Sequence, residues 1–270
     1  MQPHVDVLIP TYRRPAALAV TLAGLCSQTL PSLHIVLSDQ TEDNDAWSYP
    51  EVMALVRILK AHGREVTLLK HQPRLGLAEH RQFLLSQAAA RYALFLDDDI
   101  FLEPDAVARM LATIEGERCG FVGCAPIGLS FLDDERPHQQ KIEFWEGPVE
   151  PERIHPGSAA WERHHLHSAA NIWHVQRRLG LTAETQRTYR LAWVGGCVLF
   201  DVKKLRDAGG FDFWTELPPS HCGEDVLAEL RVMARYGGCG LIPSGSYHLE
   251  LPTTVPDREV NAPEALEWQA

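Results

Sequence analysis

Tyr92-Ala93-Leu94-Phe95-Leu96-Asp97-Asp98-Asp99 runs an apolar and aromatic stretch of strand length directly into three carboxylates. Carboxylates are not buried in a core without compensation, so this strand must end at a surface or a crevice. Adjacent acids also repel one another, and a hard divalent cation such as Mg²⁺ or Mn²⁺ relieves that repulsion. A solvated acidic turn is the plainer reading. The buried strand ahead of it favours a metal or phosphate site.

Outward from this stretch, strands and helices alternate. Val5-Asp6-Val7-Leu8-Ile9-Pro10, His34-Ile35-Val36-Leu37 and Val66-Thr67-Leu68-Leu69 read as strands. Leu18, Leu22 and Leu25 share one helical face, as do Val52, Val56 and Leu59, and residues 77–90 and 105–115 read as two more helices. This order implies an α/β fold with a mostly parallel sheet flanked by helices, and ligands bind beyond the carboxyl ends of such strands. Residues 128–190 show no clean period. A strand at 193–200, helices at 202–208 and 224–236, strands within 240–248 and a short helix at 263–269 follow.

The 270-residue chain is 45% hydrophobic and 23% charged, a globular balance for one large domain or two fused halves. Its formal charge of -11 argues against nucleic acid as a partner, and an anionic substrate needs local help from a metal or a few arginines. The 6 cysteines form no C-x-x-C pair, which fits reduced, mostly buried thiols in a cytosolic protein. Arg13-Arg14 before the apolar run 16–26 superficially resembles a secretory signal. That run is too short to span a bilayer, and Pro15 stands where a helix starts. The expectation is a cytoplasmic protein without a transmembrane segment; peripheral association with the inner face of a membrane stays open.

Two other strand ends carry chemistry. Pro10-Thr11-Tyr12-Arg13-Arg14 supplies a hydroxyl, an aromatic ring and two cations. Asp39, after the second strand, offers an acceptor for an N–H on a base edge. Either segment alone is also a plausible capped loop. In the second half, Glu224-Asp225 opens a helix, where a carboxylate is favourable in any case. His248 ends a strand, which is more often a structural position than a metal ligand.

The ordered set of motifs resembles family 2 glycosyltransferases of the GT-A fold. The resemblance rests on Val7-Leu8-Ile9-Pro10-Thr11-Tyr12, Leu37-Ser38-Asp39-Gln40-Thr41-Glu42-Asp43, Gly76-Leu77-Ala78-Glu79-His80-Arg81-Gln82, Asp97-Asp98-Asp99, Gly209-Gly210-Phe211-Asp212, Glu224-Asp225 with Leu227 and Arg231, and His248. It covers residues 5–250 apart from the irregular middle. It implies a single GT-A domain over 1–250, with a Rossmann-like nucleotide-sugar half at 1–127 and an acceptor half at 128–250, and a tail at 251–270. The implied donor-sugar site is Pro10, Thr11, Tyr12, Arg14, Asp39, Arg74, Arg81, Asp97 and Asp98. Asp99 and His248 would hold Mn²⁺ or Mg²⁺, and Asp225 would be the general base beside Glu224. The chain departs from the family pattern at Ser38, His80 and Gln82.

The implied reaction is inverting transfer of a sugar from a nucleoside-diphosphate sugar, with a UDP-sugar favoured, to a hydroxyl on a glycan, lipid-linked or other acceptor. Trp145, Trp161 and Trp173 in the irregular middle, and Trp193 after it, offer faces on which a sugar ring stacks, although burial is the commoner use of Trp. The cluster His164-His165-Leu166-His167 is a weaker metal candidate. Two rivals stand beside this reading: a phosphotransfer hydrolase with Asp97 as nucleophile, and an inactive sugar-nucleotide or glycan-binding module. No G-x-G-x-x-G follows the first strand, which opposes a nicotinamide-dependent dehydrogenase.

Overall fold

The computed structural model describes residues 4–256 and 258–266. Its first half is built from β1 (Val5–Thr11), α1 (Pro15–Cys26), β2 (Leu33–Asp39), α2 (Pro50–Ala61), β3 (Glu65–Lys70), α3 (Leu77–Gln87), β4 (Tyr92–Leu96), β5 (Ile100–Leu102), α4 (Ala106–Glu117) and β6 (Phe121–Gly123). Prolines open α1 and α2, where a missing N–H costs nothing. Leu18, Leu22 and Leu25 of α1 and Val52, Val56 and Leu59 of α2 are all buried, as their spacing predicts. The run that resembles a secretory signal is thus a core helix of the fold.

The second half contains α5 (Asn171–Arg178), β7 (Arg187–Tyr189), β8 (Cys197–Asp201), α6 (Val202–Asp207), β9 (His221–Cys222), α7 (Glu224–Tyr236), β10 (Gly238–Ile242), β11 (Ser246–His248), β12 (Val260–Asn261) and α8 (Ala262–Ala265). The expected strand at 193–200 starts only at Cys197. Gly196 takes a left-handed φ of 77°, which turns the chain before the strand begins. The expected helix at 77–90 ends at Gln87. Of the expected helix at 263–269, α8 covers the start, and 267–269 lie outside the described residues. The irregular middle is mostly irregular backbone, with short 3₁₀ turns, α5 and β7 set in it.

One eight-stranded sheet runs in the order β3-β2-β1-β4-β8-β6-β10-β7. β3, β2, β1 and β4 are parallel. β8 runs against both β4 and β6, so β6 and its parallel neighbour β10 again point with β4. The carboxyl ends of β1, β2 and β4 therefore lie side by side, as the alternation predicts. Separate core clusters cover the two faces of the sheet.

Two small ladders finish the site end. β11 pairs antiparallel with β5, and His248 stands opposite Ile100, the residue after Asp99. β12 pairs with β9, the two residues before Gly223, and α8 packs on α7. The segment expected as a tail beyond residue 250 thus folds back beside the head of α7. The 6 cysteines are free, and four of them are buried. Among the described residues, no helix is long and apolar enough to cross a membrane.

Candidate active site

β4 delivers its three carboxylates to a cavity of about 1040 Å³. Pro10, Thr11, Tyr12 and Arg14 reach the same cavity from the end of β1, Glu224 and Asp225 from the start of α7, and His248 from β11. At its floor lies Arg81 of α3, which is 3% exposed. Its Nε donates to Glu224 Oε1 and its Nη2 to Asp97 Oδ1, each at 2.9 Å. A single guanidinium thus ties the end of the parallel half-sheet to the head of α7. The surrounding carboxylates, Asp97 first, hold Arg81 charged against the cost of its burial.

A second arginine serves the other two acids. Arg14 Nη1 donates to Asp99 Oδ2 at 2.7 Å and lies 3.4 Å from Asp98 Oδ1, while its Nη2 donates to the Pro252 carbonyl. Thr11 Oγ1 donates to Asp98 Oδ2 at 2.6 Å. Burial nevertheless pushes Asp98 up to about 7. Burial and then the charge of Asp97 raise Asp99, with His248 and Arg14 opposing. Asp225 is only half-buried, yet desolvation and the neighbouring Glu224 raise it to about 7, against the pull of Arg81.

The metal-ligand expectation has a narrower basis in the geometry. His248 Nε2 lies 3.7 Å from Asp99 Oδ2. Among the described residues, no group of three or more His, Cys, Asp or Glu side chains is arranged to hold a metal ion. A carboxylate and an imidazole side by side fit a Mg²⁺- or Mn²⁺-type ion that completes its shell with substrate phosphates and water.

Several expected residues sit elsewhere than the sequence suggests. Asp39 is fully buried and off the cavity wall, because its two oxygens accept the Thr41 and Ala46 amides at 2.8 Å each; Gln40 lines the cavity instead. Arg74 lines the cavity with its guanidinium 3.5 Å over the Tyr12 ring. Trp145 does not reach the cavity: it is buried in the core, with Arg190 3.6 Å above its ring. Trp173 does not reach it either, since α5 packs it against the core on another side. Trp193 does line the cavity, together with Trp161. His164 stacks on Trp193 at 5.7 Å, so these three rings form one aromatic wall. The remaining cluster histidines point to separate partners, His165 to Glu162 and His167 to the Tyr189 hydroxyl.

Other features of the wall escape sequence reasoning. Thr253, Val255, Arg258 and Asn261 of the returning segment line the cavity. A Cβ on Gly195 would stand 3.2 Å from Asp225 Oδ2, so a side-chain-free backbone passes the carboxylate there. Ser38 and His80, two departures from the family pattern, form a single contact: His80 Nε2 lies 2.7 Å from Ser38 Oγ. Burial pushes the His80 pKa down to about 3, so the ring is neutral and satisfied by the hydroxyl.

The sheet order and the crevice at its parallel strand ends are those of the GT-A class of α/β proteins. The chain belongs to glycosyl transferase family 2, whose profile matches residues 6–178. It is 33% identical over 113 residues to the succinoglycan biosynthesis protein ExoM of Rhizobium meliloti (strain 1021). It is 23% identical over 111 residues to an uncharacterized glycosyltransferase of Haemophilus influenzae. Each alignment covers 41% of this chain and 34% of the relative, so the chain spans about a third of the length of these relatives. S. aureus TarS 1-349 in complex with UDP-GlcNAc superposes with a TM-score of 0.60 at 14% identity, over 94% of this chain and 60% of that one. Mannosyltransferase PcManGT from Pyrobaculum calidifontis, in complex with GDP-Man and Mn²⁺, gives 0.52 at 19% identity, over 89% and 57%. At these identities the likeness is one of fold.

Removing Arg81 leaves two carboxylates facing each other without their shared cation. Arg81→Ala is expected to lower unfolding free energy by about 3–5 kcal/mol, the usual cost of breaking a buried ion pair from one side. Urea unfolding of the variant checks this; a loss below about 1 kcal/mol would show that the clamp is not a structural support.

Proposed function

We propose that the chain is an inverting, metal-dependent glycosyltransferase that moves a sugar from a nucleoside-diphosphate sugar to an acceptor hydroxyl. The observation that carries this reading is the convergence of Asp97, Asp98, Asp99 and Glu224-Asp225 on one cavity, tied across Arg81. Family membership supports it, as do the nucleotide sugars named with the structural neighbours, UDP-GlcNAc for TarS and GDP-Man for PcManGT. The ExoM relative is named for succinoglycan biosynthesis, which supports a place in polysaccharide, glycolipid or glycoconjugate synthesis. A UDP-sugar is the favoured donor and a glycan or lipid-linked hydroxyl the favoured acceptor.

The nucleotide lies along the β1 and β4 ends, between the Tyr12–Arg74 stack and Asp98. Asp99 and His248 would hold a divalent cation, which supplies Lewis-acid stabilisation of the departing diphosphate when bound. The acceptor rests against the Trp161–Trp193 wall. Asp225 takes the proton from its hydroxyl as that oxygen attacks the anomeric carbon from the face opposite the diphosphate. The bond from that carbon to the diphosphate oxygen breaks, and its electron pair leaves on the oxygen. One displacement inverts the centre, with no sugar–enzyme bond. Phosphotransfer through Asp97 is the weaker reading, because Asp97 Oδ1 is held by Arg81.

Asp225 acts as a base only when ionised. With its pKa raised to about 7, kcat/KM should fall as pH drops through that value and level off above it. Asp225→Asn keeps the shape but cannot take a proton, so kcat should fall roughly 10²-fold or more with donor affinity nearly unchanged. Near-normal turnover of the folded Asn variant would leave Asp225 as no more than a favourable first-turn charge of α7 and sink the assignment.

Metal use has its own check. Titration calorimetry with UDP should show affinity at least about tenfold higher in Mn²⁺ than in chelator, since the diphosphate otherwise meets unscreened carboxylates. Asp99→Asn should remove that difference. Equal affinity in both buffers for the wild type would exclude a metal-dependent donor site.

A further inference from the structure

Asp225 and Glu229 lie one turn apart on α7, hence on the same side of the helix. Asp225 reaches the cavity, whereas Glu229 is 0% exposed. Glu229 Oε2 accepts the Val194 N–H at 2.9 Å. Among the described residues, Glu229 Oε1 has no hydrogen-bond partner. A half-satisfied carboxyl is a poor choice for stability alone, because an apolar side chain of the same length packs there without desolvation. Its value lies in what it holds.

What it holds is the 193–196 loop. Trp193 lines the cavity. Val194 is fully buried and seated on Gly123, where a Cβ would come within 2.0 Å of Val194 Cγ1. Gly195 passes Asp225 Oδ2, and the Gly196 carbonyl accepts the Asp97 N–H at 2.9 Å. Val194 therefore anchors the loop twice, through its side chain on β6 and through its amide on Glu229. The residues on either side of it face the aromatic wall and the carboxylate of α7.

We propose, building on the glycosyl-transfer reading above, that Glu229 is a positioning residue: by holding the Val194 amide it fixes the acceptor face at Trp193 relative to the Asp225 carboxylate. It works through an acceptor oxygen and not through charge. Burial pushes its carboxyl well above the usual range and nearby Asp225 adds to this, while the Val194 amide and Arg81 of α3 oppose. Gln, which offers the same oxygen, replaces Glu229; Met, of similar length with no strong acceptor, does not.

The test compares wild type, Glu229→Gln and Glu229→Met. Donor affinity is read with UDP and Mn²⁺, transfer kinetics with panels of UDP-sugars and methyl hexosides, and loop order by deuterium uptake of the peptide covering 193–196. Gln should stay within about twofold of wild type throughout. Met should keep UDP affinity within about twofold, lose about tenfold or more in kcat/KM for the acceptor, and exchange faster over 193–196, because a small misplacement near the chemistry is costly. A folded Met variant with wild-type acceptor kinetics and exchange overturns the proposal. So does a Gln variant as impaired as Met, or one whose acidic limb shifts, since either result means that the proton or charge of Glu229 matters and not its bond to Val194. If the wild type transfers no sugar from any panel member, the glycosyl-transfer reading fails. The exchange comparison still decides whether Glu229 holds the loop.

Discussion

Arg81 carries a full charge at 3% exposure, with one carboxylate from β4 and one from α7 on its guanidinium. Such a group is tolerated only if its partners stay in place, since the desolvation cost of the buried Arg81 and Glu224 charges is repaid by their mutual contact and by the part-exposed Asp97. The constraint fixes the distance between the two halves of the chain where chemistry would occur. It also sets the local electrostatics. With Glu224 committed to Arg81, Asp225 beside it is left without an ion-pair partner among the described residues, and desolvation drives its pKa up to about 7. The same contact that joins the two halves thus leaves a carboxylate poised near neutrality at the cavity wall.

The other end of the sheet shows what a purely structural carboxylate looks like. Asp6, at the start of β1, is fully buried and accepts the Ala89 and Ala90 amides at 2.7 Å each, with His34 Nδ1 at 2.9 Å. Its hydrogen bonds come from rigid backbone and from within the fold. The acids at the carboxyl ends differ: Asp98 and Asp99 share the guanidinium of Arg14, and both are raised. Acids left raised in a cavity are candidates for holding a ligand.

Much of this was legible in the sequence. The parallel half-sheet follows from apolar runs at the spacing of buried strands, alternating with the helical faces of Leu18 and Val52. Asp97 to Asp99 stood out because three acids follow such a run. Long-range contacts were not legible. Nothing local in Trp145 tells it from Trp193; only the packing of Arg190 on one and the cavity beside the other separates them. Asp39 reads as a ligand acceptor, and nothing local shows that the Thr41 and Ala46 amides also bond its oxygens. Ser38 and His80 look like separate departures until the sheet and α3 bring them within 2.7 Å. The cavity lining beyond residue 250 depends on the β12–β9 ladder, two residues long and invisible to periodicity.

The central claim is that Asp225 and the β4 carboxylates act on opposite sides of one anomeric carbon in a single displacement. The stereochemistry of the first-formed product tests it most directly. Proton NMR of the glycoside formed from an α-configured UDP-sugar should show only the β-linked product. An α-linked product would mean retention, and would contradict both the role of Asp225 and the geometry on which it rests.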